Sequence, residues 1–166
     1  MLNIGRILVD GAILSLLASL LIAGGMGISP RLWLQDYPQD IQDSVPPKTK
    51  REKQLSLIVG LPFLLLLVAG PFWSTWRLQA TTPATISFLG LWLHAFSVVF
   101  IFNLVDLLLL DWLLFCTITP GWMVIPGTAG MAGYKDYGMH FRGFLIGTVL
   151  CSVAGALIAA IVWFLG

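Results

Sequence analysis

Two aspartates, Asp106 and Asp111, lie within an otherwise apolar stretch over residues 86–116, which also contains His94 and Asn103. Carboxylates in such a stretch could form ion pairs, line a ligand pocket or take part in proton-coupled transport. An ionisable group among Leu, Phe, Val and Trp side chains is costly in lipid, so it should face protein or water and have a partner. The two aspartates are therefore the first candidates for a functional site.

Candidate partners lie in the connection that follows, residues 117–142. This connection has five glycines between Gly121 and Gly138, which argues against a regular helix or strand. It is also too apolar for a free loop, so we expect it to fold back against the end of the helices, level with the aspartates. Its basic and aromatic side chains at that level are Tyr134, Lys135, Tyr137, His140 and Arg142.

Two interpretations of these residues stay open. In the first, Asp106 and Asp111 form the acidic wall of a polar pocket, Asn103 is their hydrogen-bond partner, and the basic and aromatic side chains form its rim. In the second, Asp111 or Asp106 pairs with Arg142 in an ion pair that pins the connection to the helices, because charges in membrane proteins commonly pair with one another. Breaking such a lock would destabilise the fold, whereas emptying a pocket would leave it intact.

Other chemistries are disfavoured. His94 and His140 are expected at opposite sides of the membrane, which does not suit a bis-histidine haem. Cys116 and Cys151 have no further Cys or His at metal-ligand spacing, so no metal and no cofactor are predicted. The net charge of +1 argues against a nucleic-acid partner. The sequence also has no Gly-x-Ser-x-Gly turn for a serine nucleophile.

The elements that carry these residues are membrane helices. The chain is 58% hydrophobic and only 10% charged, whereas soluble domains have about 25% charged residues. About 20 apolar residues span the hydrocarbon core as a helix. We therefore predict an all-α, polytopic membrane protein, a single domain over 1–166, with an interfacial segment after the first helix and a packed cytoplasmic loop after the third. Its four transmembrane helices are expected at about 4–28, 49–76, 86–116 and 141–165.

Orientation follows from the basic residues. Seven of the nine Lys and Arg residues lie in or at the end of the first and third connections, and such residues favour the cytoplasmic side. Loops 29–54 and 117–142 are therefore predicted to be cytoplasmic, with both termini outside. Arg6 and Asp10, one turn apart on the first helix, are expected to form a local ion pair.

Small residues recur at every fourth position of the first and the last helix. Such stripes let backbones approach closely in lipid, so we predict that the two stripes pack against each other; the alternative is that one of them meets a second copy of the chain. The stripe on the first helix is Gly11, Ser15, Ser19, Ala23 and Gly27, and the stripe on the last is Gly143, Gly147, Cys151, Gly155 and Ala159.

Three segments together resemble a family of small uncharacterised bacterial four-helix integral membrane proteins. They are PRLWLQDYPQDIQ at 30–42, DWLLFC at 111–116 and YKDYGMHFRG at 134–143. The resemblance covers most of the chain and implies a multi-pass protein of the bacterial inner membrane, without implying an activity.

The expected function is that of a non-enzymatic membrane protein. It would be an accessory subunit or a small oligomer that binds membrane lipid or a membrane-protein partner. One alternative is a small proton- or ligand-coupled transporter or channel that uses Asp106 and Asp111. The other is a membrane enzyme that acts on a lipid-soluble substrate at the cytoplasmic pocket.

Overall fold

The structure, a computed structural model, describes residues 3–82 and 86–165, and it contains no strand within those ranges. Four of its helices are long and apolar enough to cross a membrane. The predicted fold class, an all-α multi-pass membrane protein, is confirmed. The helices are α1 (Ile4–Ile28), α2 (Gln39–Asp43), α3 (Lys50–Thr81), α4 (Phe88–Val105), which continues as a π-helix (Asp106–Ile118), and α5 (Tyr137–Leu165).

Local capping sets the helix starts at the end of the bundle where the long connections lie. Thr49 precedes α3 and makes both bonds of a capping box, since its hydroxyl accepts from the Glu52 amide at 3.2 Å while the Glu52 carboxylate accepts from the Thr49 amide at 2.7 Å. Asp136 accepts from the Met139 amide at 2.8 Å, so α5 begins at Tyr137, four residues before the predicted start. Apolar length alone does not reveal such polar helix ends.

The small-residue stripes do not meet each other, which corrects the sequence prediction. The closely packed pairs are α4 with α5, α1 with α4, α1 with α3, and α3 with both α4 and α5. The first stripe packs on α4, where Gly11 lies against Ile101. The second packs on α4 as well, and a Cβ at Gly155 would lie 2.9 Å from the backbone nitrogen of Phe96. The spacing predicts a close approach but does not identify the partner helix.

Only part of each stripe is buried. On α1, Gly11 and Ser15 are buried, and the Ser15 hydroxyl donates to the Gly11 carbonyl at 2.7 Å, while Ser19 is half-buried. On α5, Cys151, Gly155 and Ala159 are buried, Gly147 is half-buried, and Gly143 is exposed, with open space where a Cβ would lie. The buried part of each stripe is therefore its N-terminal part on α1 and its C-terminal part on α5.

The predicted interfacial segment and packed loop cover one end of the bundle, formed by residues 29–49 and 119–136, which we name the looped end. The first segment is a 3-10 helix (Pro30–Asp36) followed by α2, and Asp40 of α2 accepts from the Gly133 amide at 2.9 Å. The two segments share an apolar core with the end of the π-helix, formed by Leu34, Tyr37, Ile41, Phe115, Cys116, Met123, Ile125 and Tyr134.

The predicted Arg6–Asp10 ion pair is absent from the described part of the chain. The Arg6 guanidinium donates to the Thr81 hydroxyl at 3.1 Å. Asp10 instead accepts from the Ser74 hydroxyl, which also lies 2.8 Å from Nε2 of the fully buried His94. A polar chain thus connects α1, α3 and α4 at the end opposite the looped end, because tertiary partners on α3 replace the local one.

Substitution of Gly155 tests the contact between α5 and α4. The Gly155→Leu variant should have a free energy of unfolding about 1–3 kcal/mol lower than the wild type, because the new side chain meets helix backbone that cannot move aside. Gly143→Leu is the matched control on the same helix, and its change should stay within about 0.5 kcal/mol. Denaturation of the detergent-solubilised protein, followed by circular dichroism, measures both. Equal losses in the two variants would contradict this packing.

Candidate functional site

A cavity of about 700 Å³ opens at the looped end. Its walls come from α1, α3, the end of α4, the π-helix, α5 and the segment over residues 33–42. The apolar lining consists of Ile22, Met26, Trp33, Tyr37, Phe63, Leu107, Leu110, Phe115, Met123, Met139, Phe144 and Ile146, with Gly143 and Gly147 between them. The polar lining consists of Gln35, Asp36, Gln39, Gln42, Asn103, Asp106, Asp111, His140 and Arg142.

The π-helix aligns the two aspartates along one wall of this cavity. In an α-helix, residues five positions apart point about 140° away from each other. A π-helix bonds residue i to residue i+5, so residues five apart come to lie one above the other. Asp106 opens the π-helix and Asp111 follows five residues later, and both line the cavity. The sequence gives no sign of this change in helix type, so the alpha-helical geometry assumed from the sequence is wrong here.

The C-terminus of the π-helix is capped by Lys135. Its ammonium donates to the carbonyls of Cys116 and Thr117 and, at 2.9 Å, to the hydroxyl of Thr119. Thr119 adopts a left-handed backbone conformation with φ of 49°, and its amide donates to the Leu114 carbonyl at 2.7 Å. A cation that binds the last carbonyls of a helix is favoured there. Lys135 is thus a helix cap and does not line the cavity.

Asp111 pairs with His140, and this contact corrects the predicted lock with Arg142. Oδ1 of Asp111 lies 3.1 Å from Nδ1 of His140, whose side chain is only 6% exposed. Arg142 lines the same cavity but forms no ion pair with any described residue. His140 lies on the face of α5 that meets the π-helix, where its ring also packs against Phe115. Arg142, two positions later, lies well around the helix.

Asn103 anchors α5 and does not bond to the aspartates. Its amide nitrogen donates to the Phe144 carbonyl and to the Thr148 hydroxyl, each at 3.1 Å. The carboxylate of Asp106, one turn further along, has no hydrogen bond or ion pair with any described residue. Of the two aspartates on the π-helix, Asp111 therefore has a partner for its carboxylate and Asp106 has none.

The two tyrosines predicted for the rim are structural. The Tyr134 hydroxyl accepts from the Ile125 amide at 2.9 Å and is hydrogen-bonded to Thr128 at 2.7 Å. The Tyr137 hydroxyl lies 3.0 Å from the Thr117 hydroxyl. Neither residue lines the cavity. Of the predicted basic and aromatic rim, only His140 and Arg142 belong to the cavity wall.

Sequence reasoning missed the wall supplied by residues 33–42. Asp36 lines the cavity there, and the surrounding protein raises the pKa of its carboxyl through desolvation, which the nearby Lys48 ammonium partly offsets. Desolvation lowers the pKa of Lys48, which donates to the Leu32 carbonyl and, at 3.0 Å, to Ser56. The indole nitrogen of Trp33 is buried without a hydrogen-bond partner. The sign in the sequence that could have revealed this wall is the set of polar residues at positions 35, 36, 39 and 42.

The chemistry of the lining suits binding by hydrogen bonds and charge. Three carboxylates share the cavity with one guanidinium and one imidazole. No group of three or more His, Cys, Asp or Glu side chains within residues 3–82 and 86–165 has the geometry of a metal site. The described lining also includes no Ser, Thr or Cys side chain that could act as a nucleophile.

Removing His140 should destabilise the protein more than removing Arg142. His140→Ala leaves the Asp111 carboxylate without its partner, and the free energy of unfolding should fall by about 1–3 kcal/mol. Arg142→Ala should change it by less than about 0.5 kcal/mol, because Arg142 pairs with no described residue. Denaturation curves of the two variants in the same detergent decide this. A larger fall in the free energy of unfolding for Arg142→Ala would instead support the predicted ion pair between Arg142 and Asp111 or Asp106.

Asp36→Asn should stabilise the protein in a pH-dependent way. The folded-state pKa of Asp36 is raised, so ionised Asp36 costs stability at pH values above that pKa. The cost declines as the pH falls through the folded pKa and is gone below the unfolded value of about 3.9. The variant should therefore exceed the wild type in stability at neutral pH, and the difference should vanish in acid. Unfolding measured across this pH range checks the sign, and a less stable variant at neutral pH would refute it.

Comparisons of the chain with protein-family models, with curated proteins and with solved structures find no match.

Proposed function

We propose that this protein is a non-enzymatic integral membrane protein that binds a small amphipathic, lipid-like molecule in the cavity at the looped end. The observation that carries the proposal is that the cavity wall is divided into a polar part and an apolar part. Its polar groups come mainly from residues 35–42 and from the facing parts of the π-helix and α5, while Ile22, Phe63 and Phe144 extend the wall along transmembrane helices. Such a wall suits a ligand with a polar head and an apolar body.

The polar side chains that line this cavity favour ligand binding over enzymatic catalysis. His140, the residue type most often used in acid–base catalysis, is paired with Asp111 at 3.1 Å in an arrangement that also ties α5 to the π-helix. The described lining supplies carboxylates, amides and a guanidinium, which recognise ligands by hydrogen bonds and charge. An enzyme on a lipid-soluble substrate therefore has less support than a binding protein.

Binding also has more support than transport. A transport path would have to continue from the cavity through the rest of the bundle. Beyond Asn103, the interior is packed with Ala18, Val98, Val99 and Phe102, all at most 5% exposed. A path in this conformation would need these side chains to move apart, whereas a binding site needs no such change.

The membrane and the orientation form part of the proposal. Seven of nine basic residues belong to the looped end or to the first residues of the helices that leave it, and this supports a cytoplasmic looped end with both termini outside. Lys50, Arg51 and Lys53 are exposed there, where they can contact anionic headgroups. The resemblance noted in the sequence supports the bacterial inner membrane. Membrane lipid is the favoured partner, and a second copy or another membrane protein is the alternative.

Native mass spectrometry with a cavity-filling variant tests the proposal. Gly143 lines the cavity and has open space where a Cβ would lie, so Gly143→Phe should fill the cavity without disturbing α5. Gly24 on α1 is also exposed and unobstructed but does not line the cavity, which makes Gly24→Phe the matched control. Wild type and Gly24→Phe, released from mild detergent, should retain the same amphipathic adduct. Gly143→Phe should bind this adduct about tenfold more weakly, a difference in binding free energy of about 1.4 kcal/mol.

An adduct that persists equally in both glycine variants would place the ligand elsewhere and overturn the proposal. Protein that carries no adduct, and that no membrane lipid extract stabilises against heat, would overturn it as well. A ligand at about one hundred times its dissociation constant should stabilise the folded protein by about 2.7 kcal/mol, so the thermal measurement is sensitive enough to decide.

A further inference from the structure

We propose that the head of the ligand is a protonated amine, a primary or secondary ammonium group on an apolar body, and that it binds beside Asp106. This inference rests on the proposed function and specifies the chemical class of the molecule bound. It is carried by three features of the cavity: the balance of its charges, the free acceptors in its wall and its aromatic lining.

The charge balance favours a cation. Asp36, Asp106 and Asp111 face one permanently charged cation, Arg142, in the same cavity. Arg142 is exposed, and His140 is paired with Asp111, with 3.1 Å between Nδ1 and Oδ1. An anionic head would be drawn to Arg142 but would meet three carboxylates, whereas an ammonium group would reduce their repulsion. A buried or half-buried carboxylate without a partner is costly in an apolar setting, so a cation that pairs with Asp106 removes part of that cost.

The unpartnered acceptors favour an amine that still carries N–H groups. His140 is more than nine-tenths buried and lines the cavity, and its Nε2 has no hydrogen-bond partner. When Nδ1–H donates to Asp111, Nε2 of the neutral ring is an acceptor. The carboxylate of Asp106 is a second acceptor without a partner among the described residues. A primary ammonium group offers three donors, which suits such a pair of acceptors, whereas a quaternary ammonium offers none.

The apolar part of the wall suits the body of such a molecule. Trp33, Tyr37 and Phe115 line the cavity, and the Tyr37 and Phe115 rings pack edge to face with centroids 5.2 Å apart. Aromatic faces attract the alkyl groups next to an ammonium nitrogen. Three methionines, Met26, Met123 and Met139, complete this part of the wall and adapt to chains of different shape. An inorganic cation would leave these contacts unused.

Titration of the full chain in phosphatidylcholine nanodiscs with four eight-carbon probes tests the inference. The probes are octylamine, octyltrimethylammonium, octanol and octanoate, measured by calorimetry with empty nanodiscs subtracted. Wild type should bind octylamine at least about tenfold more tightly than the other three, a difference of about 1.4 kcal/mol. Asp106→Asn should abolish this preference while octanol binding stays unchanged.

Asp43→Asn is the matched control, because Asp43 is exposed at the looped end and does not line the cavity. It should bind all four probes as the wild type does. Should Asp106→Asn fail to fold by circular dichroism, Asp36→Asn takes its place; there the preference for octylamine should fall severalfold, since one of the three cavity carboxylates is neutral.

The outcomes separate this inference from the proposed function. Equal affinity for all four probes, abolished by Gly143→Phe, would leave amphiphile binding in place and overturn the amine. Tightest binding of octanoate, or of octyltrimethylammonium, would overturn it in favour of an anion or of a cation held without N–H donors. A preference for octylamine that survives in both aspartate variants would also overturn it. Absence of saturable binding by any probe would count against the proposed function itself.

Discussion

Backbone hydrogen bonding over the π-helix is the constraint on which the looped end depends. In lipid, each backbone group must find a partner within the protein, and thirteen residues from Asp106 to Ile118 do so with the wider i to i+5 pattern. Runs of this kind are usually a single turn, so a longer one needs support from its surroundings. Lys135 and Thr119 supply that support at the C-terminus, and Lys135 comes from the packed loop. The fold of the loop and the helix type are therefore coupled.

The same constraint explains why the site has an acidic wall. The wider turn stacks Asp106 and Asp111 on one side, and it leaves Leu107, Leu110 and Phe115 to pack against their neighbours. Asp111 then meets His140 across the contact between the π-helix and α5. An ordinary α-helix would direct one of the two carboxylates away from this wall. The cavity is thus a consequence of the helix type as much as of the residues that line it.

The sequence predicts the features of this fold that depend on local properties. Apolar length gives the four membrane helices, and the spacing of Thr49 and Glu52 gives the start of α3. The features it misses depend on tertiary contacts. His140 and not Arg142 is the partner of Asp111, because the face of α5 that carries His140 packs against the π-helix. The cavity wall over residues 33–42 could not be predicted from the sequence, because its polar residues are equally typical of a segment that lies at the membrane interface.

The two ends of the bundle show how a polar group in a membrane protein can be assigned to structure or to binding. At the end opposite the looped end, Asp10, Ser74 and His94 form a hydrogen-bonded chain across three helices and do not line the cavity at the looped end. This set links three helices, and although Nδ1 of His94 is buried without a partner, it does not face the cavity at the looped end. At the looped end, Asp106 and Nε2 of His140 belong to a cavity wall and have no partner within the described residues. Leaving such acceptors unpaired costs stability, and at this end the cavity gives a donor from outside the chain access to the Asp106 carboxylate.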